Sequence, residues 1–278
     1  MLVSEILNKS SKILKKKKIS THLLDSELLL SSILNTKREK LLIEDDKELT
    51  IKKINQFNSL INRRSNKEPI AYILKNKEFW NSKFIVNSNT LIPRPETELL
   101  VEKAINHFKN EKIKILDIGT GSGCILISIL EEIKKASGIG IDISKKALKI
   151  AKKNVKKSSA AKRIRLLNKS LNFDLKYKFD LIVSNPPYIC TSDLKKLPDD
   201  VIKYEPKIAL DGGKDGLDVI KKVIYKAKNI LNKKGILALE IGYGQYKKVS
   251  QILNKNSFKE KYLIKDYQNN IRCIFSQL

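Results

Sequence analysis

The sequence has 278 residues, of which 41% are hydrophobic, so it can form one large or two ordinary globular domains, and a disordered tail is excluded. The formal net charge is +26, with 56 Lys and Arg residues, of which only seven are Arg. Because base and phosphate recognition relies on Arg forks and Lys here is scattered through every segment, we interpret most of this charge as a solvated surface.

The first 67 residues predict a small helical domain. Leu2, Ile6 and Leu14 recur at helical spacing, and the segment contains no glycine. Ser20 or Thr21 is placed to cap a second helix over residues 23–34. A short helix near residues 40–43 and a further helix beginning after residue 50 complete the expected bundle, whose default role is packing.

Residues 68–90 predict a β-hairpin that connects two domains. The runs 70–74 and 79–86 are rich in β-branched and aromatic residues, which favour strands. Residues 91–98 follow with two prolines and predict an extended segment. Glu96 and Glu98 then open a helix, where acidic side chains complement the helix dipole.

From residue 91 to residue 278, strands and helices alternate, which predicts an α/β domain with a mainly parallel sheet. A short polar turn joins the last two strands, so the final strand is expected to be antiparallel. The predicted strands are 113–118, 138–142, 163–167, 179–184, 235–242, 258–264 and 270–276. The predicted helices between them are 122–136, 144–157, 216–232 and 244–254.

A glycine turn follows the first of these strands. Gly119, Gly121 and Gly123 permit a tight turn and close approach of a ligand to the backbone, with Thr120 and Ser122 between them. The N–H groups of the next helix favour an anionic group, although the spacing lacks the full dinucleotide pattern. An acid, Asp142, ends the second strand and can accept both hydroxyls of a ribose or cap the following helix.

Asn185, Pro186, Pro187 and Tyr188 follow the fourth predicted strand. Neither proline has an N–H donor, so the sheet ladder stops and a stiff loop begins. The Asn185 side-chain oxygen and the Pro186 carbonyl could accept the two hydrogens of a planar NH2 group, with Tyr188 covering its face. A rigid turn with a packing aromatic is the alternative.

Together, the glycine turn, Asp142 and the loop at residues 185–188 resemble the class I S-adenosylmethionine-dependent methyltransferases that act on planar nitrogens. Residues 91–98, with the sequence Leu-Ile-Pro-Arg-Pro-Glu-Thr-Glu, are similar to a signature of the peptide chain release factor glutamine methyltransferases. Residues 68–72, 79–80 and 204–216 also resemble that family, and the likeness covers essentially the whole chain.

The resemblance implies a Rossmann-like sheet, S-adenosylmethionine as cofactor, and the glutamine of the Gly-Gly-Gln loop of release factors as substrate. Cofactor contacts are implied for residues 119–123, Asp142, Leu171 and Asn185, and substrate contacts for residues 185–188. Ser170 stands where the family commonly has an acid, which would weaken the bond to the adenine amino group. The helical domain is expected to dock the release factor, and the protein to be a cytoplasmic monomer.

Arg94, Glu96 and Glu205 are secondary candidates. Arg94 could brace the loop, touch substrate or form a structural ion pair, while Glu205 and residues 211–213 are expected to shape the wall beside the site. The three cysteines, at positions 124, 190 and 273, are far apart and odd in number, which fits a reducing compartment. We expect no metal site, no transmembrane helix and no role for either histidine.

Three alternatives stay open at this point. An RNA or DNA exocyclic-amine methyltransferase could carry the same Asn-Pro-Pro-Tyr loop, and the high Lys content favours it. A non-catalytic cofactor-binding scaffold would explain Ser170. A nicotinamide-dependent oxidoreductase would explain only residues 119–142 and leaves the proline loop without a purpose.

Overall fold

The computed structural model describes residues 1–43, 46–172 and 177–278. Within these ranges, no helix combines the length and the apolar character that crossing a membrane requires. The described chain divides into two compact units. The first comprises Met1–Lys75 with Pro198–Tyr204, and the second comprises Asn76–Leu197 with Glu205–Leu278.

The first unit is helical, as predicted. Phe57, Leu29 and Leu30 are fully buried in its apolar core. The Thr50 hydroxyl caps the fourth helix by accepting from the Lys53 N–H at 3.5 Å, whereas Thr21 precedes the second helix without such a bond. The helices are α1 (Val3–Lys16), α2 (His22–Leu34), α3 (Arg38–Ile43), α4 (Ile51–Ser65), α5 (Ile70–Leu74) and, from the later segment, α9 (Asp199–Tyr204).

The prediction of a strand at residues 70–74 is wrong, because these residues form helix α5. Pro69 fixes φ at −57° immediately before this turn and starts the helix, which outweighs the β-branched composition of the run. The hairpin itself exists slightly later, as β1 (Asn76–Phe79) and β2 (Ser82–Ile85), paired antiparallel. Its two-residue turn contains Trp80 at φ +53°, so the predicted run 79–86 contains a turn near its start.

The second unit contains a seven-stranded sheet in the order β5-β4-β3-β6-β7-β9-β8. Neighbouring strands are parallel from β5 to β7, and β9 is antiparallel to both β7 and β8. The predicted α/β class with an antiparallel final strand is therefore confirmed. The strands are β3 (Lys114–Ile118), β4 (Ser137–Asp142), β5 (Ile164–Asn168), β6 (Phe179–Ser184), β7 (Leu231–Glu240), β8 (Lys259–Lys265) and β9 (Ile271–Gln277).

Alternate residues of the central strands are buried on opposite faces of the sheet, as the two-residue period of a strand requires. Ile115 and Leu181 belong to one apolar cluster, whereas Leu116 and Ile182 belong to the other. Burial on both faces explains why β3 and β6 read as nearly continuous apolar runs. The helices of this unit are α6 (Glu96–His107), α7 (Cys124–Glu132), α8 (Lys145–Lys157), α10 (Asp218–Ile230) and α11 (Tyr246–Lys255).

Helices α6 and α7 contribute Leu100 and Ile129 to the first cluster, and helices α10 and α11 contribute Ile224 and Val249 to the second. The assignment of separate tasks to residues 1–67, 68–90 and 91–278 stays a prediction. The hairpin packs within the second unit, where Phe79 and Phe84 join the first cluster.

A buried ion pair joins α2 and α4 in the helical unit. Arg64 Nε donates to Asp25 Oδ2 at 2.6 Å, and the two side chains are 9% and 4% exposed. The Thr21 hydroxyl donates to the same Asp25 oxygen at 2.9 Å. Removing one member of a buried pair leaves the other charge without its solvent or its partner, which is far more costly than losing an exposed pair.

We therefore expect Arg64→Ala to lower the free energy of unfolding of the helical unit by about 3–5 kcal/mol. Arg38→Ala is the matched control, because Arg38 pairs with Glu27 but is 43% exposed, and its loss should cost less than about 1 kcal/mol. Hydrogen exchange of α2 and α4 peptides in the whole chain measures both values. Equal effects of the two substitutions would contradict the assignment.

Candidate active site

A cavity of about 360 Å³ opens at the carboxyl ends of β3, β4 and β6. From β3 the chain continues to β4 and β5 on one side of β3, and it then crosses to β6 on the other side of β3. The strand order therefore reverses at β3. Ligands of open α/β sheets bind at such a switch point. The cavity is lined by side chains and backbone from Thr97, residues 118–122, residues 141–144, residues 169–172 and residues 184–187, among others.

The turn after β3 has the conformation that its glycines predict. Gly119, Gly121 and Gly123 have φ values of +75°, +56° and +84°, in the left-handed region that other residues rarely adopt. The N–H groups of Gly119 and Thr120 both donate to the Ile141 carbonyl at 2.9 Å, which ties the turn to the end of β4. The turn residues thereby form one wall of the cavity, and helix α7 begins directly after them.

The buried carboxyl group of Asp117 holds this turn by a hydrogen bond. Asp117 Oδ2 accepts from the Thr120 hydroxyl at 2.6 Å, and among the described residues Oδ1 has no hydrogen-bond partner. Burial raises the pKa of Asp117 to about 7, although the Thr120 bond lowers it in part. Asp117 is fully buried and is not among the residues that line the cavity, so it supports the turn through Thr120.

Asp142 lies on the cavity wall at the end of β4, as predicted. Its Oδ2 accepts from the Gly121 N–H at 2.9 Å and its Oδ1 from the Ser144 N–H at 2.8 Å. Burial raises the pKa of the Asp142 carboxyl, and these two backbone bonds oppose the rise. Helix α8 is capped instead by Ser144, whose hydroxyl accepts from the Ala147 N–H. Asp142 is therefore free of the capping role and presents an orientated carboxylate to the cavity.

The same end of the cavity is lined by Ile143, Ser170 and Leu171. Ile143 is 59% exposed and presents an apolar side chain to the cavity. Among the cavity-lining residues 169–172, the only acceptor side chains are Ser170 and Asn172, so the predicted absence of an acid at residue 170 is not compensated there. The donor and acceptor set fits a nucleoside with a charged amino-acid tail.

The loop of residues 185–188 borders the opposite side of the cavity. Ser184, the last residue of β6, donates its hydroxyl to the Ile118 carbonyl at 2.8 Å and holds the two strand ends together. Pro186 is buried, and Asn185 is half-buried with its side chain on the cavity wall. No described hydrogen bond ends on the Pro186 carbonyl or on Asn185 Oδ1. Two acceptors therefore remain available at adjacent residues.

A chain of hydrogen bonds runs behind this loop. Asn185 Nδ2 donates to Thr97 Oγ1 at 3.1 Å, and the Thr97 hydroxyl donates to Glu240 Oε2 at 2.6 Å. Glu240 is fully buried at the end of β7, and burial raises its pKa to about 7, while the bond from Thr97 and the charge of Arg272 lower it less. Both Thr97 and Glu240 were missed as site residues by sequence reasoning.

A usable signal for Glu240 was present in the sequence. It is an acid at the end of an apolar strand, as Asp142 is, and the carboxyl ends of parallel strands meet at one edge of a sheet. Thr97 lies inside the Pro-Arg-Pro-Glu-Thr-Glu segment that was singled out. Nothing in the pattern of that segment distinguishes Thr97 from its neighbours, because its role depends on a partner 143 residues away.

Tyr188 points away from the cavity. Its hydroxyl lies 3.5 Å from Glu240 Oε1 and 3.5 Å from the Arg272 guanidinium, and it is not a cavity-lining residue. Burial raises the pKa of Tyr188 to about 12, and the Glu240 charge adds to the rise. The described contacts place the ring in packing with the second apolar cluster. Its predicted stacking on a substrate group stays a prediction.

Arg94 forms an ion pair with Glu205 at 2.5 Å, and the Glu205 side chain is almost fully buried. Glu205 Oε2 also accepts from the Ile92 N–H at 3.1 Å. The two residues thus fix the extended segment that leads into α6, where Thr97 lies. Of the alternatives for Arg94, the structure shows the ion pair. Glu96 contributes a negative charge near Glu240 and Arg272.

Residues 210–212 contact the segment that follows the loop, whereas the expected contribution of residues 211–213 to the wall of the site stays a prediction. The Gly212 N–H donates to the Ile189 carbonyl, and Ile189 in turn donates to the Leu210 carbonyl. Gln245 Nε2 donates to the Tyr188 carbonyl at 2.8 Å. The loop is therefore held by contacts from residues 210–212 and from Gln245, in addition to the stiffness of its two prolines.

The fold and this site define a class I S-adenosylmethionine-dependent methyltransferase. A solved methyltransferase from Pyrococcus furiosus has the same fold, with a TM-score of 0.55 and 18% identity over 80% of this chain and 97% of that one. The family model described as "PrmC N-terminal domain" matches residues 5–74, and the family model described as "Methyltransferase small domain" matches residues 95–203.

Two relatives carry the comparison further. The release factor glutamine methyltransferase of Clostridium botulinum is 38% identical, over 99% of this chain and 98% of its own. The bifunctional methyltransferase of Rickettsia typhi is also 38% identical over 98% of this chain, but the match spans only 56% of that longer relative. This chain belongs to the release factor glutamine methyltransferase family.

We expect Asp142→Asn to weaken binding of S-adenosylmethionine about 10- to 100-fold, because a hydrogen bond to a charged group contributes about 1.5–3 kcal/mol. Isothermal titration calorimetry measures the dissociation constant. Asp193→Asn is the matched control, since Asp193 is a surface carboxylate paired with Lys196. An unchanged dissociation constant in Asp142→Asn would remove this residue from the binding site.

We expect Gly212→Ala to lower methyl transfer at least about 10-fold. A Cβ at residue 212 would lie 2.8 Å from the Pro187 carbonyl oxygen and from the Tyr188 Cα, which are backbone atoms that cannot step aside without moving the loop. Gly244→Ala is the control for backbone strain without a collision, since residue 244 has φ +75° but nothing lies within 4 Å of an added Cβ there. Single-turnover rates compare the two, and equal rates would contradict the prediction.

Proposed function

We propose that this chain transfers a methyl group from S-adenosylmethionine to the side-chain amide nitrogen of the glutamine in the Gly-Gly-Gln loop of peptide chain release factors. The observation that carries the proposal is the pair of available acceptors, Asn185 Oδ1 and the Pro186 carbonyl, at the edge of the cofactor cavity. The names of the near full-length relatives support the same substrate.

An amide nitrogen is a weak nucleophile because its lone pair is delocalised into the carbonyl group. The sulfonium of the bound cofactor supplies a reactive methyl group, so the protein has mainly to place the nitrogen. Asn185 Oδ1 accepts one N–H of the glutamine and the Pro186 carbonyl accepts the other, which fixes the nitrogen and its lone pair. Such alignment can lower a barrier by about 7–11 kcal/mol.

The same two acceptors stabilise the positive charge that grows on the nitrogen as the new C–N bond forms. An N-methylated amide cation is very acidic, so one of its two protons is released to water and the neutral methylamide remains. No general base is required. The Asp142 carboxylate would hold the hydroxyl groups of the cofactor ribose, and the turn of residues 119–122 would form the wall beside the cofactor.

The partner of this activity is the release factor itself, docked by the helical unit, and the chain acts as a cytoplasmic monomer. The three cysteines at positions 124, 190 and 273 are free thiols, as a reducing compartment favours. Nucleic acid is not the direct substrate in this proposal. The net charge of +26 would instead favour encounter with an acidic or ribosome-associated partner.

The proposal is tested by a transfer assay with methyl-labelled S-adenosylmethionine. Purified release factor, its Gln→Ala variant in the Gly-Gly-Gln loop, total tRNA, rRNA and DNA are compared side by side. We expect label on the release factor alone, and none on the Gln→Ala variant. Label on nucleic acid and not on the release factor would replace the proposal with an exocyclic-amine methyltransferase.

In the same assay, Asn185→Ala should reduce turnover about 100-fold or more, because one of the two substrate acceptors is lost together with the alignment it provides. The dissociation constant of S-adenosylmethionine should change far less. Asn232→Ala is the matched control, since Asn232 pairs with Asp180 near the opposite ends of the strands. Near-normal turnover in Asn185→Ala would overturn the mechanism.

A further inference from the structure

We propose that Glu240 is a positioning residue which, through the hydroxyl of Thr97, turns the Asn185 carboxamide so that its oxygen faces the substrate. This inference rests on the proposed function and assigns a task to two residues that exchange no group with the substrate in the proposed methyl transfer. It follows from counting the protons along the hydrogen bonds that join the three side chains.

The Thr97 hydroxyl carries a single proton. Its distance of 2.6 Å to Glu240 Oε2 is that of a short bond to a carboxylate, and an ionised carboxylate can only accept. The proton of Thr97 is therefore committed to Glu240. Towards Asn185, Thr97 can then offer only a lone pair.

The Asn185 side chain has one end that donates and one end that accepts. Because Thr97 Oγ1 can only accept from it, the NH2 group must face Thr97, at 3.1 Å. The oxygen is consequently directed to the other side, where Asn185 lines the cavity. A carboxamide turned by half a rotation would present two donors to the substrate NH2 group, which could accept neither.

Glu240 is held in place for this task by its burial and by its neighbours. The charged and titratable groups that face it are Glu96 from α6, Cys124 from α7, Tyr188 from the loop, and Arg272 and Cys273 from β9. Of these, the only cation is Arg272, whose charge favours the ionised carboxylate, whereas burial and Glu96 disfavour it.

The orientation is therefore sensitive to pH. Burial raises the pKa of Glu240 to about 7, so the carboxylate that accepts from Thr97 is present above this pH and is lost as the pH falls through it. A protonated Glu240 can itself donate to Thr97. Thr97 is then released to donate to Asn185, which reverses the preferred direction of the carboxamide.

The test compares Thr97→Val, which keeps the shape and removes the hydroxyl, with the conservative variant Thr97→Ser, which restores the hydroxyl. We expect kcat with release factor to fall about 10- to 100-fold in Thr97→Val and to recover mostly in Thr97→Ser. Although Thr97 also lines the cavity, kcat should change far more than the KM for release factor and the dissociation constant of S-adenosylmethionine, as expected when mainly alignment is lost.

The pH profile separates positioning from a purely structural role. In the wild type, protonation of Glu240 should lower kcat about tenfold between pH 8 and pH 6, because its pKa is about 7. Thr97→Val and Glu240→Gln should both abolish this part of the pH dependence, whereas any part due to Asp117, whose pKa is also raised to about 7, should remain in both variants. A Thr97→Val enzyme that keeps the wild-type profile would overturn the proposal, even if its turnover is reduced.

A measurement without substrate or cofactor provides an independent check. The side-chain 15NH2 signals of Asn185, assigned by their loss in Asn185→Ala, should show protection from solvent exchange at pH 8. Protection should decrease towards pH 6 in the wild type and be absent in Thr97→Val. Unchanged protection in Thr97→Val would contradict the inference, whereas a wild type that never methylates release factor would contradict the proposed function instead.

Discussion

A single hydroxyl proton, that of Thr97, is the constraint on which the candidate active site depends. It is given to Glu240, so the Asn185 amide must donate towards Thr97 and keep its oxygen for the cavity. The three residues come from α6, β7 and the loop after β6, which lie far apart in sequence. Glu240, a buried acid at the end of β7, thereby orientates the Asn185 side chain, which directly follows the neighbouring strand β6. A lone Asn in a stiff loop would have no such preference between its two ends.

The main contribution that this site can make is to hold the reacting nitrogen in position, and the contacts around the loop of residues 185–188 keep that loop rigid. The reacting nitrogen of an amide needs alignment more than activation by a base. Accordingly, the loop is fixed by rigid contacts: two prolines within it, Gly212 packed against its backbone, and Gln245 bonded to the Tyr188 carbonyl. The ion pair of Arg94 with Glu205 fastens the segment leading to Thr97. Tyr188 adds to this framework from behind, where its hydroxyl lies near Glu240.

The sheet was predictable from sequence because its strands are short apolar runs buried on both faces and separated by amphipathic helices. The positions of the glycine turn and of Asp142 were predictable because they depend on local order along the chain, at the ends of β3 and β4. Residues 70–74 were predicted wrongly, since Pro69 starts a helix in a run whose composition favours a strand. Thr97 and Glu240 were missed for a different reason. Their interaction arises only when α6 and β7 meet, across 143 residues, so no local pattern marks Thr97, and the acid at the end of β7 is the only local sign of Glu240. The inward direction of Tyr188 likewise depends on Arg272 and Glu240, which the loop sequence does not contain.

The most direct test of the central claim is to locate the methyl group in a release factor after incubation with this chain and S-adenosylmethionine. Tandem mass spectrometry of the peptide that contains the Gly-Gly-Gln loop identifies the modified atom. We expect one methyl group on the side-chain nitrogen of that glutamine, because the two acceptors beside the cavity match the two hydrogens of a primary amide. A methyl group on another residue, or on none while nucleic acid becomes methylated, would contradict it.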